Sequence, residues 1–507
     1  MNQTLRRPRT PAIRLPDTAT LLDRLRTSSL MDCRGRVASA TGSTIELEGM
    51  AVEIGAICEL RTRGGRLHHG QVIGFRGTSP LITLFDAAAP VAAGDWVRRI
   101  DEGLRVPYGE ALAGRILGPL GQPIDGRPLP PAVQWTDAHR RAPEPLSRPA
   151  IDAPMQTGVR AIDAMLTCGR GGRIGIFAGS GVGKSTLMGM LARGCDADRI
   201  VIALVGERGR EVQDFVDESL GAAGRARSVM VVATSDRSPL ERMTAAKTAT
   251  AIAEGFRDRG ENVLLLVDSL TRFAIAAREL GLAAGEPPTT RGYPPSVFNQ
   301  LPSLVERAGR NRRGSITAFY TVLVEGDDMN EPIADAVRGL LDGHIVLDRK
   351  IASRGHYPPI DVVESLSRLQ PKLLSPEALA ESAEARRHLA IYRENEDLIA
   401  IGAYRSGSDP RIDAAIAAHP PLNQFLQQRP AEQTDAATTS AALKAALLIG
   451  SQSSNHPSLS GPANSSVATT TPSNPDATSV ATNSPTAATA HGVTNTTSAG
   501  GGNEVAS

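Results

Sequence analysis

The chain has 507 residues, roughly three times a typical single-domain length, and 41% apolar residues against only 3% aromatics, so two or three packed units with largely aliphatic cores are expected. Lys plus Arg (55) against Asp plus Glu (54) leaves a net charge of +1, which supplies no global field for a polyanion and excludes a general nucleic-acid coat protein. The four cysteines, Cys33, Cys58, Cys168 and Cys195, form no C-x-x-C pair, so neither a zinc site nor a disulfide framework is indicated and a reduced, cytosolic chain fits.

The first residues, MNQTLRRPRTPAIRLP, carry arginines but no apolar signal core, and no later window approaches the roughly 18 apolar residues of a spanning helix, so a soluble, unsecreted protein is expected. Residues 1–30 form a separate segment. Within it, Leu21, Leu22 and Leu25 stand at helical spacing behind Asp17 or Thr18, which predicts a short amphipathic helix over 17–30. Packing on its own domain and docking of a partner are equally open readings of that helix.

Residues 31–100 change period. Thr44 to Glu48, Val52 to Ile54, Ile57 to Leu60, Gln71 to Ile73 and Leu81 to Leu84 alternate or run apolar in short bursts between Gly-rich turns, the pattern of a small antiparallel barrel or sandwich. After the Gly/Pro-rich stretches 114–128 and 143–154 the pattern becomes α/β, and a core over 101–370 is expected. Apolar runs at Arg173 to Phe177, Ile200 to Val205, Val229 to Ala233, Val263 to Val267 and Ser315 to Val324, with helical stretches between several of them, point to a parallel sheet covered on both faces. Residues 371–430 read as a helical domain, led by Ser375 to Asp397. Residues 431–507 read as a disordered tail, since from Ser451 onward there is no Lys, Arg or aromatic residue and only Asp476 and Glu504 as acids.

The most informative stretch is Ile174-Gly175-Ile176-Phe177-Ala178-Gly179-Ser180-Gly181-Val182-Gly183-Lys184-Ser185-Thr186, an apolar strand, a glycine-rich loop and the start of a helix. Residues poor in side chain let backbone N–H groups converge on phosphate at a helix N-terminus. Lys184 would place a point charge on the terminal phosphates and the Ser185 hydroxyl would ligate Mg²⁺. The first position of G-x-x-x-x-G-K-[ST] is Ala178, a departure from the pattern.

Two carboxylates complete the pattern. Asp268 ends the apolar run Val263 to Val267, where an acid can hold the water shell of magnesium. Glu207, in Val205-Gly206-Glu207-Arg208-Gly209-Arg210-Glu211, follows another strand and can polarise a water for in-line attack on a γ-phosphate. Arg208 and Arg210 could instead make Glu207 a structural ion-pair partner, and spacing alone leaves both roles open.

Gly206-Glu207-Arg208, Asp268-Ser269-Leu270-Thr271-Arg272 and the run from Pro358 through Ser365-Leu366-Ser367-Arg368 resemble the rotary ATPase α/β-subunit family. The stretches 114–121, 157–163 and 286–298 narrow the likeness to the type III export ATPases, where Tyr293-Pro294-Pro295 favours the flagellar form while Glu325 to Pro332 also resembles injectisome members. The resemblance covers about residues 20 to 430. It implies an N-terminal β-barrel, a RecA-like P-loop core, a C-terminal helical domain, and a homo-hexameric ring with ATP between subunits. It also implies Glu207 as catalytic glutamate with Lys184 and Arg208 beside it, Arg368 as an arginine finger serving a neighbour, and Tyr357 as an aromatic near adenine.

The partners implied are an export-apparatus regulator at the N-terminal segment, a coiled-coil stalk touching the acidic loop 325–332, export-gate membrane proteins and chaperone–substrate complexes. The implied place is the cytoplasm, peripheral to the inner membrane. Two other classes fit the sequence less well. A hexameric nucleic-acid translocase needs a basic, aromatic-lined barrel, yet residues 35–100 hold only Phe75, Phe85 and Trp96, so no nucleic acid is expected. A non-catalytic nucleotide-binding subunit is disfavoured because Glu207, Lys184 and Arg368 are all present.

Overall fold

The computed structural model describes residues 33–100, 103–324, 326 and 328–454. The helix expected over 17–30 and the low-complexity sequence beyond 454 lie outside the described residues.

Six strands, β1 (Arg34–Thr41), β2 (Thr44–Glu48), β3 (Ile57–Arg61), β4 (Leu67–Arg76), β5 (Ser79–Leu84) and β6 (Trp96–Ile100), close into an antiparallel barrel of order β1-β2-β5-β4-β3-β6. Alternation decides this: Val37, Ile45, Leu47, Leu60, Val72, Ile82 and Val97 turn inward to one apolar cluster. Closure, rather than a two-sheet sandwich, leaves no strand edge exposed.

The next strands are β7 (Ile116–Leu117), β8 (Arg173–Ala178), β9 (Arg199–Val205), β10 (Ser228–Ala233), β11 (Asn262–Asp268), β12 (Ser315–Leu323), β13 (Gly343–Leu347) and β14 (Ile360–Ser367). They form one sheet of order β14-β13-β8-β12-β11-β9-β10-β7, with Gly309–Arg310 paired to β12 off that path. The seven strands from β13 to β7 run parallel, β14 reverses against β13, and the short Gly309–Arg310 pair is antiparallel to β12. Neighbouring side chains of β8 point to different layers. Ile174 and Ile176 join the cluster beneath α1 (Lys184–Gly194), while Phe177 joins the cluster under α2 (Pro239–Arg257) and α3 (Leu270–Ala283). Burial on both faces explains why these strands read as unbroken apolar runs.

The C-terminal region consists of α4 (Pro376–Ala400), α5 (Pro410–Leu426) and α6 (Ala436–Ser454). The last of these corrects the expected tail beginning at 431. Leu443 and Ala446, three residues apart on α6, are buried in the same cluster as Ala418 and Leu422 of α5, so an alanine-rich stretch whose one charged residue, Lys444, pairs with Glu381 at 3.4 Å is held as a helix by its apolar face. All four cysteines are free thiols. No helix among the described residues is long and apolar enough to cross a membrane.

Candidate active site

In an open parallel sheet, ligands gather at the carboxyl ends of the strands. Three such ends meet here: β8 runs into the glycine-rich loop, β9 into Gly206-Glu207, and β11 ends at Asp268. Gly181 (φ 77°) and Gly183 (φ 107°) adopt left-handed backbone, which turns the chain sharply into α1. Ala178 is the last residue of β8, buried and paired with Leu323 and Leu347, so its extended backbone has no need of glycine. The departure from the motif falls where the fold tolerates it.

Residues 179–181 and 183–186 line a cleft of about 640 Å³ together with Glu207, Arg208, Thr271, Arg272 and Arg349. Val182 is buried beneath the loop, while Ser185 and Thr186 stand exposed in the first turn of α1. Lys184 Nζ lies 2.5 Å from Asp268 Oδ1 and 3.3 Å from Glu207 Oε1. Burial opposes the ammonium charge, but Asp268 and then Glu207 outweigh it and hold Lys184 above its ordinary range. Burial pushes both carboxyl groups up against the pull of Lys184, and Glu211 adds to the rise at Glu207.

The two arginines flanking the Glu207 position pair elsewhere. Arg208, largely exposed, faces Glu211 at 3.7 Å, and Arg210 faces Asp214 at 3.6 Å. Glu207 is bound to Lys184 instead, inside the cleft.

Tyr357 and Arg368 are placed differently. Tyr357 is 48% exposed on the loop whose Pro359 abuts Gly183 of the phosphate loop. Arg368, exposed, follows the last residue of β14, and its N–H donates to the Asp342 carbonyl level with Arg173, the first residue of β8. The phosphate loop lies at the other end of β8. Along the eight residues of β14 that is a separation of about 26 Å, so Arg368 does not join the cleft of its own chain.

Three further groups stand at the cleft: Thr321 and Arg349 carry no signal in the sequence, and Arg272 ends the Asp268-to-Arg272 stretch of the family resemblance. Thr321 Oγ1 donates to Asp268 Oδ1 at 2.7 Å, Arg349 Nη2 donates to the Ser180 carbonyl at 3.2 Å, and the Arg272 stem covers Gly206 with its Nε buried and unbonded. Only the sheet order, which sets β12 beside β11, would have found Thr321. In the acidic loop Glu325 and Asp327 lie outside the described residues, and Asp328 faces Arg291 at 3.4 Å.

A glycine-rich loop opening a helix, its lysine shared by two strand-end carboxylates, on a parallel sheet flanked by helices, defines a P-loop nucleoside triphosphatase. The ATP synthase alpha/beta family, nucleotide-binding domain, matches residues 158–367, and the T3SS EscN ATPase C-terminal domain matches residues 374–445. The flagellum-specific ATP synthase of Bacillus subtilis is 51% identical over 415 residues, covering 80% of this chain and 95% of the relative. The type 3 secretion system ATPase of Xanthomonas euvesicatoria is 50% identical over 403 residues, covering 79% and 91%. Among solved structures, the assembled ATPase EscN in complex with its central stalk EscO, from the type III secretion system of enteropathogenic E. coli, aligns with a TM-score of 0.75 at 43% identity, covering 82% of this chain and all of that one. The chain belongs to the ATPase family of flagellar and type III protein export, within the wider ATP synthase alpha/beta family, and is an ATP hydrolase.

Proposed function

We propose that this chain hydrolyses ATP to ADP and phosphate to drive or prepare protein export through the flagellar type III apparatus, working as a homo-hexameric ring at the cytoplasmic side of the inner membrane. The observation that carries the chemistry is the convergence of Lys184, Glu207 and Asp268 beside the glycine-rich loop. The backbone N–H groups of residues 179–186 cradle the phosphates, and Lys184 leaves its carboxylates for the terminal phosphates as they enter. Glu207, freed of that ion pair, accepts hydrogen bonding from the attacking water and aligns it on the γ-phosphate. Arg208 and Arg272 add positive charge at the rim.

Among the described residues no cluster of three or more His, Cys, Asp or Glu side chains could hold a metal ion alone. The donor set nonetheless suits magnesium arriving with ATP, because the exposed Ser185 hydroxyl and the buried Asp268 carboxylate are hard oxygen donors. Those two residues would hold the ion, which when bound neutralises charge on the phosphate oxygens.

The placement of Arg368 supports the ring. A guanidinium so far from its own cleft is useful for catalysis only when Arg368 of the partner subunit reaches the γ-phosphate, so assembly would gate hydrolysis. Tyr357, exposed beside the phosphate loop, is assigned to stacking near adenine. A coiled-coil stalk through the ring's centre, a regulator at the N-terminal segment, export-gate proteins and chaperone–substrate complexes are the proposed partners. The stalk is supported by the central stalk that the related EscN carries.

An injectisome role is the second reading, favoured by the equal similarity of type 3 secretion relatives. Deleting the gene from its native host and scoring flagellar filaments against effector secretion decides between them. Loss of filaments with secretion intact supports the flagellar reading, and the opposite result replaces it.

A further inference from the structure

Tyr357 is an exposed ring on a pinned loop. Its neighbours His356, Pro358 and Pro359 are buried, and His356 Nδ1 is held 2.8 Å from Oδ1 of Asn423 on α5. The Tyr357 carbonyl accepts the backbone N–H of Gln428 at 2.9 Å. Gln428 lies just after α5, is 3% exposed, and has a fully used side chain. Its Oε1 accepts the Arg160 N–H at 2.9 Å, while Nε2 donates to the Gly158 carbonyl at 2.7 Å and the Glu432 carbonyl at 3.0 Å.

The same connection grips the far end of the phosphate-loop helix. Arg193 Nη2 of α1 donates to the Pro430 carbonyl at 2.7 Å, and Gln433 Nε2 donates to the Arg193 carbonyl at 3.2 Å. A short segment between α5 and α6 therefore spans from the C-terminal end of α1 to the loop that presents Tyr357.

We infer that Gln428 is a positioning residue for nucleoside binding: it braces the Tyr357 loop against the phosphate-loop helix, so that the C-terminal helical region sets where the ring meets the base. This rests on the reading of Tyr357 as the adenine-stacking residue. The phosphate grip comes from residues 179–186 at the opposite end of α1 from Arg193, and the hydrogen-bond partners of Gln428 are Tyr357, Arg160, Gly158 and Glu432 rather than that loop. Loosening the brace weakens recognition of the base and spares recognition of the phosphates.

The test is steady-state ATPase kinetics on the full chain, with inorganic tripolyphosphate, which has no base, as a competitive inhibitor. Gln428→Ala is expected to raise KM for ATP about tenfold through loss of three side-chain hydrogen bonds, one of them buried, with kcat retained and the tripolyphosphate Ki unchanged. Tyr357→Ala should raise KM likewise, and the double variant should be no worse than Tyr357→Ala alone. Asn423→Ala should share the defect and Asn423→Asp, which keeps the acceptor for His356, should rescue it. That pair keeps the inference testable if Gln428→Ala fails to fold. A parallel rise in Ki and KM would show general loosening and overturn the brace, as would normal KM in both Gln428→Ala and Asn423→Ala beside a raised KM in Tyr357→Ala. An unchanged KM in Tyr357→Ala removes the stacking reading and the brace with it.

Discussion

If Arg368 works only across a subunit seam, two inactive variants should restore one another. Arg368→Ala removes the finger and leaves its own cleft intact, whereas Glu207→Gln disables the cleft and leaves the finger. Arg368 sits level with Arg173 while the phosphate loop begins beyond Ala178, at the opposite edge of the sheet about 26 Å away. No side-chain rotation bridges that distance within one chain. Loss of such a finger costs about three to five orders of magnitude in rate, or about 4 to 7 kcal/mol of transition-state stabilisation. Each variant alone should therefore be nearly silent in a phosphate-release assay. In a one-to-one mixture allowed to reassemble, a head-to-tail ring places an intact cleft against an intact finger at about one seam in four, so turnover should recover toward about a quarter of the wild-type rate. Absence of recovery in verified mixed rings, or wild-type turnover by Arg368→Ala alone, would refute the cross-subunit role.

Glu207→Gln is expected to keep ATP affinity, measured by equilibrium binding, while kcat falls about a hundredfold or more as the water loses its acceptor. Because burial raises the Glu207 pKa and catalysis needs its ionised form, activity should be lost as pH falls through that raised value; the acid limb of kcat/KM against pH should lie above the ordinary carboxylate range. A limb at the ordinary position would contradict the desolvated site. Gly189→Ala would set a methyl 2.3 Å from the Ser219 carbonyl oxygen and should lower stability by about 1–3 kcal/mol in denaturant titration, through overpacking of α1. Leu443→Ala, on α6, should cost about 2–5 kcal/mol if that helix is part of the folded unit; a value near zero would return residues 436–454 to the tail.

What could be read beforehand follows from where each signal is stored. The strands β8 to β12 are buried on both faces, so their apolar runs stood out, whereas alternation over residues 31–100 fitted a barrel and a sandwich equally and only the strand order shows closure. The edge pair β13 and β14 was harder, because β14 carries Asp361, Glu364, Ser365 and Ser367 among its apolar residues and half-exposes one side. Helix α6 was hidden because Ala, Ser and Thr dominate both it and the low-complexity sequence that follows, and only the placement of Leu443 and Ala446 against α5 separates the two. The phosphate loop was fully legible, being contiguous. Lys184, Glu207 and Asp268 were each visible and were assigned to one nucleotide site, but the direct contacts of Lys184 with both carboxylates depend on β8, β9 and β11 delivering their ends to one edge across β12. The same holds for Thr321, which no local pattern marks, and for Gln428, whose value lies in gripping residues some 270 positions earlier in the chain. A residue whose partners are distant in sequence has meaning only once the sheet and the C-terminal helices are assembled, which is why the groups that position the nucleotide emerge from the fold while the groups that touch it emerge from the motif.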